Sequence, residues 1–314
     1  MDRINKSCNE YSLRIRLKKD LRLNWVLYVM LIPVLAYFII FHYWPMYGVV
    51  LAFKDYKPKL GIIGSPWLGF ENFERFFSAY NFKNLIQNTL VLSVYSLLIG
   101  FPIPIIFALC LNYLTKNKLK KTVQMVSYMP HFISTVIICS MLQIFCSQRN
   151  GAFNVLLNLF GVASIDFLGK ADYFKHIYVW SGVWQNMGWN AIIYISALSG
   201  VDFEMHEAAI IDGASKIQRM RYIDIPSIVS TIVMLFIMRL GSLMSVGFEK
   251  VYLLQNSLNV TKSQIISTYV YEVGLLDREF SYSAAVDLFN TLINITLLVT
   301  ANAVCKKLTK ESLF

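Results

Sequence analysis

Residues 206–226 read HEAAIIDGASKIQRMRYIDIP, and the reading of this stretch decides how the rest of the chain is understood. On either side the sequence is apolar over lengths that suit a bilayer. The stretch itself is charged and amphipathic, is broken by Gly213 and ends on Pro226. Such an interruption predicts a loop that stands in water and presents helical faces to another molecule.

Composition sets the surroundings. The chain has 314 residues, 56% of them hydrophobic and 15% charged, with a formal net charge of +10. Soluble globular domains carry about 25% charged residues, so the apolar surplus here must face lipid. Abundant Trp, Tyr and Phe fit the two interfaces, where amphipathic rings collect. Cys8, Cys110, Cys139, Cys146 and Cys305 form no CxxC pair, which argues against a disulfide framework or a zinc site. His42, His131, His176 and His206 are scattered, and no nucleophile–base constellation accompanies them, so a membrane enzyme is disfavoured.

A helix that crosses a hydrocarbon core of about 30 Å needs about 20 mostly apolar residues. Six runs qualify, at about 25–43, 84–114, 122–147, 177–201, 226–248 and 281–304. The chain therefore divides into a basic N-terminal segment (1–24), a membrane domain (25–304) that contains the 202–226 loop, and a short tail (305–314). The first apolar run is too long for a cleavable signal and reads as a retained span. With both termini inside, the inside segments carry more than twice the density of Lys and Arg found in the outside loops, which is the bias that fixes orientation. The sharpest marker is TKNKLKK at 115–121. The positive charge is thus an orientation signal, and nothing in its arrangement suggests nucleic-acid binding. The loop at 202–226 falls on the cytoplasmic side.

Its local chemistry is legible. Asp202 suits a helix N-cap, where its side chain accepts a bond from an orphan N–H. Glu204 complements the positive end of the helix dipole. Gly213 sits where the chain must reverse, a position open to left-handed backbone angles. A second short helix follows at about 214–223 with Lys216, Arg219 and Arg221, and Pro226 opens the next span. Physics alone allows an amphipathic hairpin lying on the inner leaflet as well as a docking element.

The residues themselves separate the two. Glu207-Ala208-Ala209, Asp212-Gly213-Ala214 and Ile223-x-Ile225-Pro226 resemble the EAA loop of ATP-binding-cassette importer permeases, with Ile225 in place of the usual Leu. The resemblance implies an all-α membrane protein of six transmembrane helices with a cytoplasmic two-helix coupling loop, the transmembrane domain of a type I importer. It also implies a coupling set of Glu207, Ala208, Ala209, Asp212, Gly213, Arg219 and Pro226 that docks on an ATPase subunit. The chain has no G-x-x-x-x-G-K-[ST] phosphate-binding run, so ATP and Mg are expected on partner ATPase subunits, with no cofactor, metal or catalytic residue on this chain.

Further stretches, PMYGVVLAFKDYKP (45–58), GSPWLGFENFERFF (64–77), MPHFIS (129–134) and RLGSLMSVGFEK (239–250), are similar to the oligosaccharide and polysaccharide branch of carbohydrate importer permeases. That branch implies a second homologous permease, two ATPase subunits, an extracellular substrate-binding lipoprotein, an oligosaccharide substrate and the bacterial cytoplasmic membrane. Asp287, in AAVDLFN, stands where the family more often has Gly. Importers of amino acids, polyamines or phosphate share the loop, but GSPW and MPHFIS argue against them. A secondary transporter would show internal repeats with broken midplane helices and several buried acids, and no convincing repeat is present.

Two charges fall inside spans, where they normally face a partner or a water-filled path. At 1.5 Å per residue, Arg239 is roughly 13 Å and Asp287 roughly 9 Å below the outer ends assigned above. They either pair or jointly line a sugar pathway; if the substrate is acidic, such as a uronate oligosaccharide, Arg239 is the candidate for a carboxylate contact. Trp184 and Trp189 serve either as interface anchors or as flat faces for sugar rings. Pro102, Pro104 and Pro130 either kink helices or act as hinges, and His131 reads as a helix-packing hydrogen-bonder.

Overall fold

Proline, glycine and capping residues divide the apolar runs into helices. The computed structural model describes residues 18–245 and 247–309. The basic segment over residues 1–17, including Cys8, and the tail over residues 310–314 lie outside the described residues. In chain order the principal helices are α1 (Trp25–Phe53), α2 (Phe82–Asn112), α3 (Asn117–Phe132), α4 (Thr135–Phe145) and α5 (Ala171–Ser199). They are followed by α6 (Phe203–Ile211), α7 (Lys216–Ser227), α8 (Val229–Gly241), α9 (Phe248–Leu254) and α10 (Phe280–Thr309). Among the described residues the only extended pairing is one isolated bridge, Lys54 with Trp67.

α1, α2 and α10 are each long and apolar enough to cross a membrane unaided. Pro102 and Pro104 lie within α2, which remains a single span. The third span is not straight: α3 and α4 meet at 98°. Pro130 lies in a tight turn at Met129–Phe132, and Ser134 then caps α4 by accepting the Ile137 N–H at 3.4 Å. The fifth span turns by 64° between α7 and α8 and leaves helical form after Gly241, short of the Phe248 end expected from hydropathy. α5, with 29 residues, is long enough to cross but more polar than its neighbours. Among the described residues, α1, α2 and α10 are thus unaided spans, α3–α4 and α7–α8 are bent ones, and α5 packs among them.

α5 lies at the centre and packs on both α2 and α3. Its C-terminal half shares a core of Ala108, Leu109, Ala191, Tyr194, Leu198 and Ile228. Its other half shares Leu92, Cys139, Phe174, Val179, Val251 and Leu254 with α2, α4 and α9. α10 packs against α8 and the end of α1, while the first part of α1, Trp25–Phe38, buries no residue in the isolated chain.

A bilayer offers no water to a backbone that leaves helical form, so the freed groups must be satisfied by protein. At the break after α8, Asn294 of α10 does this: its Oδ1 accepts the Met244 N–H at 2.9 Å and its Nδ2 donates to Ser245 Oγ at 3.0 Å. Close approach of α3 and α5 requires Gly188, where a Cβ would stand 2.3 Å from the Ser127 carbonyl oxygen. Small residues let membrane helices meet in this way. Gly188→Leu must push the two helices apart, at a cost of about 1–3 kcal/mol. The expected result is a clear fall in the Tm of the purified protein in detergent, and an unchanged Tm would show that the contact is not made.

Candidate coupling loop and polar cavity

The loop forms as its residues dictate. Asp202 accepts the Glu204 N–H at 2.9 Å and caps α6. At the other end Gly213 adopts φ +79°, and the Ala214 N–H closes the helix on the Ala209 carbonyl at 2.8 Å. Ser215 and Gln218 then form a reciprocal cap at the start of α7, a pairing that satisfies two orphan N–H groups at once. Glu207, Ala208, Asp212, Gly213 and Pro226 are exposed, and Ala209 and Arg219 are half-buried. α6 buries no residue at all, and Ile211 and Ile217 are 86% and 76% exposed. Large apolar side chains are thus left bare on an otherwise polar loop.

The loop is fastened at its base by a group that sequence reasoning passed over. Asp224, near the end of the quoted stretch, is fully buried. The Tyr113 hydroxyl, just past the end of α2, donates to its Oδ2 at 2.6 Å, and His206 Nε2 of α6 lies 3.2 Å from its Oδ1. The Arg219 guanidinium sits 5.4 Å from the centre of the Tyr113 ring. One carboxylate therefore joins both loop helices to the second span. A polar residue directly before an apolar span was the available signal, but nothing in the sequence names Tyr113 as its partner.

Inside the bundle lies a cavity of about 250 Å³. Ser93 and Ser96 of α2, Tyr178, Gln185, Asn186 and Asn190 of α5, and Arg239 of α8 line it, together with Ser242, Ser245, Gly247 and Lys250 from the broken segment and α9. It adjoins a second hollow, which shares Gln185, Asn186 and Lys250 and adds His131 and Glu249. Lys250 was not anticipated. The Gln185, Asn186 and Asn190 stripe on an otherwise apolar span was the signal that could have located the cavity.

The other expected pathway residues fall in different places. Arg239 is on the cavity wall, in the last turn of α8, where a cation complements the helix dipole. Asp287 is exposed on α10 outside the cavity lining, and among the described residues no ion pair joins it to Arg239. The depth estimate assumed a straight helix to Phe248, whereas α8 ends two residues beyond Arg239. Trp184 borders a separate apolar hollow with Met141 and Phe145. Trp189 stacks on His131 at 4.5 Å, and the same imidazole meets Asn186 Oδ1 at 3.0 Å, which is a packing role.

Tyr113→Phe removes one donor from the buried Asp224 carboxylate, at a cost of about 1–3 kcal/mol. Hydrogen–deuterium exchange should then show faster exchange over residues 203–211 while the spans keep their protection. Unaltered exchange in α6 would mean that the contact does not hold the loop.

Comparison with known proteins places these features. Protein LplB of Bacillus subtilis (strain 168) is 44% identical over 95% of this chain and 92% of its own length. The polygalacturonan/rhamnogalacturonan transport system permease protein YteP of the same organism is 42% identical over 92% and 90%. Among solved structures, a chain of a bacterial alginate ABC transporter in complex with an alginate pentasaccharide-bound periplasmic protein superposes with a TM-score of 0.88. That chain is 36% identical, over 95% of this chain and 100% of its own. The family described as binding-protein-dependent transport system inner membrane component matches residues 76–310. With its exposed two-helix loop and its polar cavity among apolar helices, this chain belongs to that family of transport permeases.

Proposed function

We propose that the chain is the permease subunit of an importer that moves an oligosaccharide, delivered by an extracellular binding protein, into the cytoplasm. ATP hydrolysis occurs on two separate ATPase subunits, which hold ATP and Mg, and a second homologous permease completes the passage. The observation that carries this reading is the buried Asp224 junction, which ties an exposed docking loop to the end of a membrane span. A force applied to α6 and α7 is thereby delivered to the bundle. The relatives named for polygalacturonan, rhamnogalacturonan and alginate support the sugar class. The basic turn at 115–121 supports a cytoplasmic loop with both termini inside.

In this reading Glu207, Ala208, Ala209, Asp212, Gly213, Arg219 and Pro226 form the coupling set. Gly213 is the position to test, because its backbone is left-handed while a Cβ there meets nothing within 4 Å in the isolated chain. Gly213→Val opposes the backbone angle, a strain of about 1–3 kcal/mol. Gly213→Asn tolerates that angle. In the reconstituted complex, Gly213→Val is expected to leave the spans inserted but to uncouple ATP hydrolysis from sugar uptake, with Gly213→Asn retaining most transport. Intact transport by the valine variant would refute the lever role of the loop.

A further inference from the structure

The polar cavity carries two cations, Arg239 and Lys250, and no carboxylate is among its lining residues. Lys250 is the unusual one. It is only 8% exposed. Its Nζ donates to the Tyr178 carbonyl at 3.2 Å and lies 5.2 Å from the centre of the Tyr178 ring. No carboxylate stands within ion-pair distance of it among the described residues. Glu249, its sequence neighbour, lines the adjoining hollow and forms no ion pair with it. An ammonium has three donors, so the Tyr178 carbonyl leaves two unfilled on a side chain that borders open space.

Buried charges in proteins are ordinarily paired, and charges within a membrane domain face a partner or a pathway. A fixed acid near Lys250 would neutralise it permanently, and none is provided. Arg239, exposed and lining the same cavity, repeats the sign. The remaining polar lining is neutral: Ser93, Ser96, Asn190 and Ser245 offer hydroxyl and amide groups of the kind that exchange bonds with sugar hydroxyls. A compact ammonium on a flexible stem can follow a passing group, whereas the planar guanidinium grips a carboxylate with two parallel bonds.

Resting on the importer reading above, we infer that Lys250 and Arg239 form a carboxylate-reading site in the passage and select oligosaccharides built from uronic acids. The missing counter-ion of Lys250 is the substrate's own carboxylate. A neutral sugar leaves the buried ammonium unpaired, and a cationic solute is repelled.

The test uses the complete importer with its binding protein in proteoliposomes, and two probes, a galacturonate tetramer and the same tetramer after carboxyl reduction. Wild type is expected to favour the acidic probe. Lys250→Met should lower the acidic-to-neutral uptake ratio by about tenfold or more, as loss of one partner of a buried charge pair does. Lys250→Arg, which keeps the charge, should restore much of that ratio. Arg239→Gln, at an exposed position that does not test folding, should lower the ratio in the same direction. An unchanged ratio in both neutral variants overturns the inference while the importer reading stands. If Lys250→Met fails to assemble, the ratio in Arg239→Gln decides alone. Uptake of neither probe by wild type, with the binding protein loaded, instead defeats the oligosaccharide reading itself.

Discussion

A backbone that leaves helical form inside a bilayer must find its hydrogen-bond partners within the protein, and the architecture of this permease follows from how that demand is met. The chain breaks at Met129–Ser134 and again after Gly241. At the second break the Asn294 amide serves both the Met244 N–H and the Ser245 hydroxyl. A side chain from α10 therefore does what the next turn of helix would have done. Ser242, Ser245 and Gly247 thereby border a polar cavity instead of continuing an apolar rod.

α5, the central helix, carries a cluster of amides where it meets the cavity. Gln185, Asn186 and Asn190 sit within two turns of one another and line the cavity, while Ala191, Tyr194 and Leu198 pack into the core shared with Ala108, Leu109 and Ile228. A helix packed against α2 and α3 does not need the hydropathy of one that is apolar all round. α1 is the opposite case, with no buried residue over Trp25–Phe38 and apolar side chains around its whole circumference.

Much of this was legible in the sequence, and the divide falls between local and tertiary chemistry. The Asp202 cap, the Gly213 reversal and the start of a second loop helix are decided within a few residues, so pattern alone placed them. The six apolar runs were equally plain, because length and hydropathy are local. The bend at Pro130 was half visible: proline marks a weak point, but 98° depends on what α4 packs against. Partners across the fold were not visible. Tyr113 meets Asp224 across 111 positions of sequence, and Lys250 reaches Tyr178 across 72. The supposed meeting of Arg239 with Asp287 failed for the same reason, since depth counted along an ideal helix cannot register where that helix ends.

These placements give the loop between α5 and α8 a mechanical setting. Only Gly200, Val201 and Asp202 separate the end of α5 from the start of α6, and the chain passes from α7 into α8 through a single bend at Ile228. The two helices that flank the loop both contribute to the cavity lining, α5 through its amides and α8 through the Arg239 guanidinium. Asp224 holds the two loop helices to each other and to α2, which contributes Ser93 and Ser96. In the proposed cycle a displacement of the loop is therefore shared among three of the walls that contact the sugar. Because helices and packed cores are stiff, such a movement alters the spacing of those walls, and with it the hold of the cavity on its cargo, without any contact between the cargo and the loop.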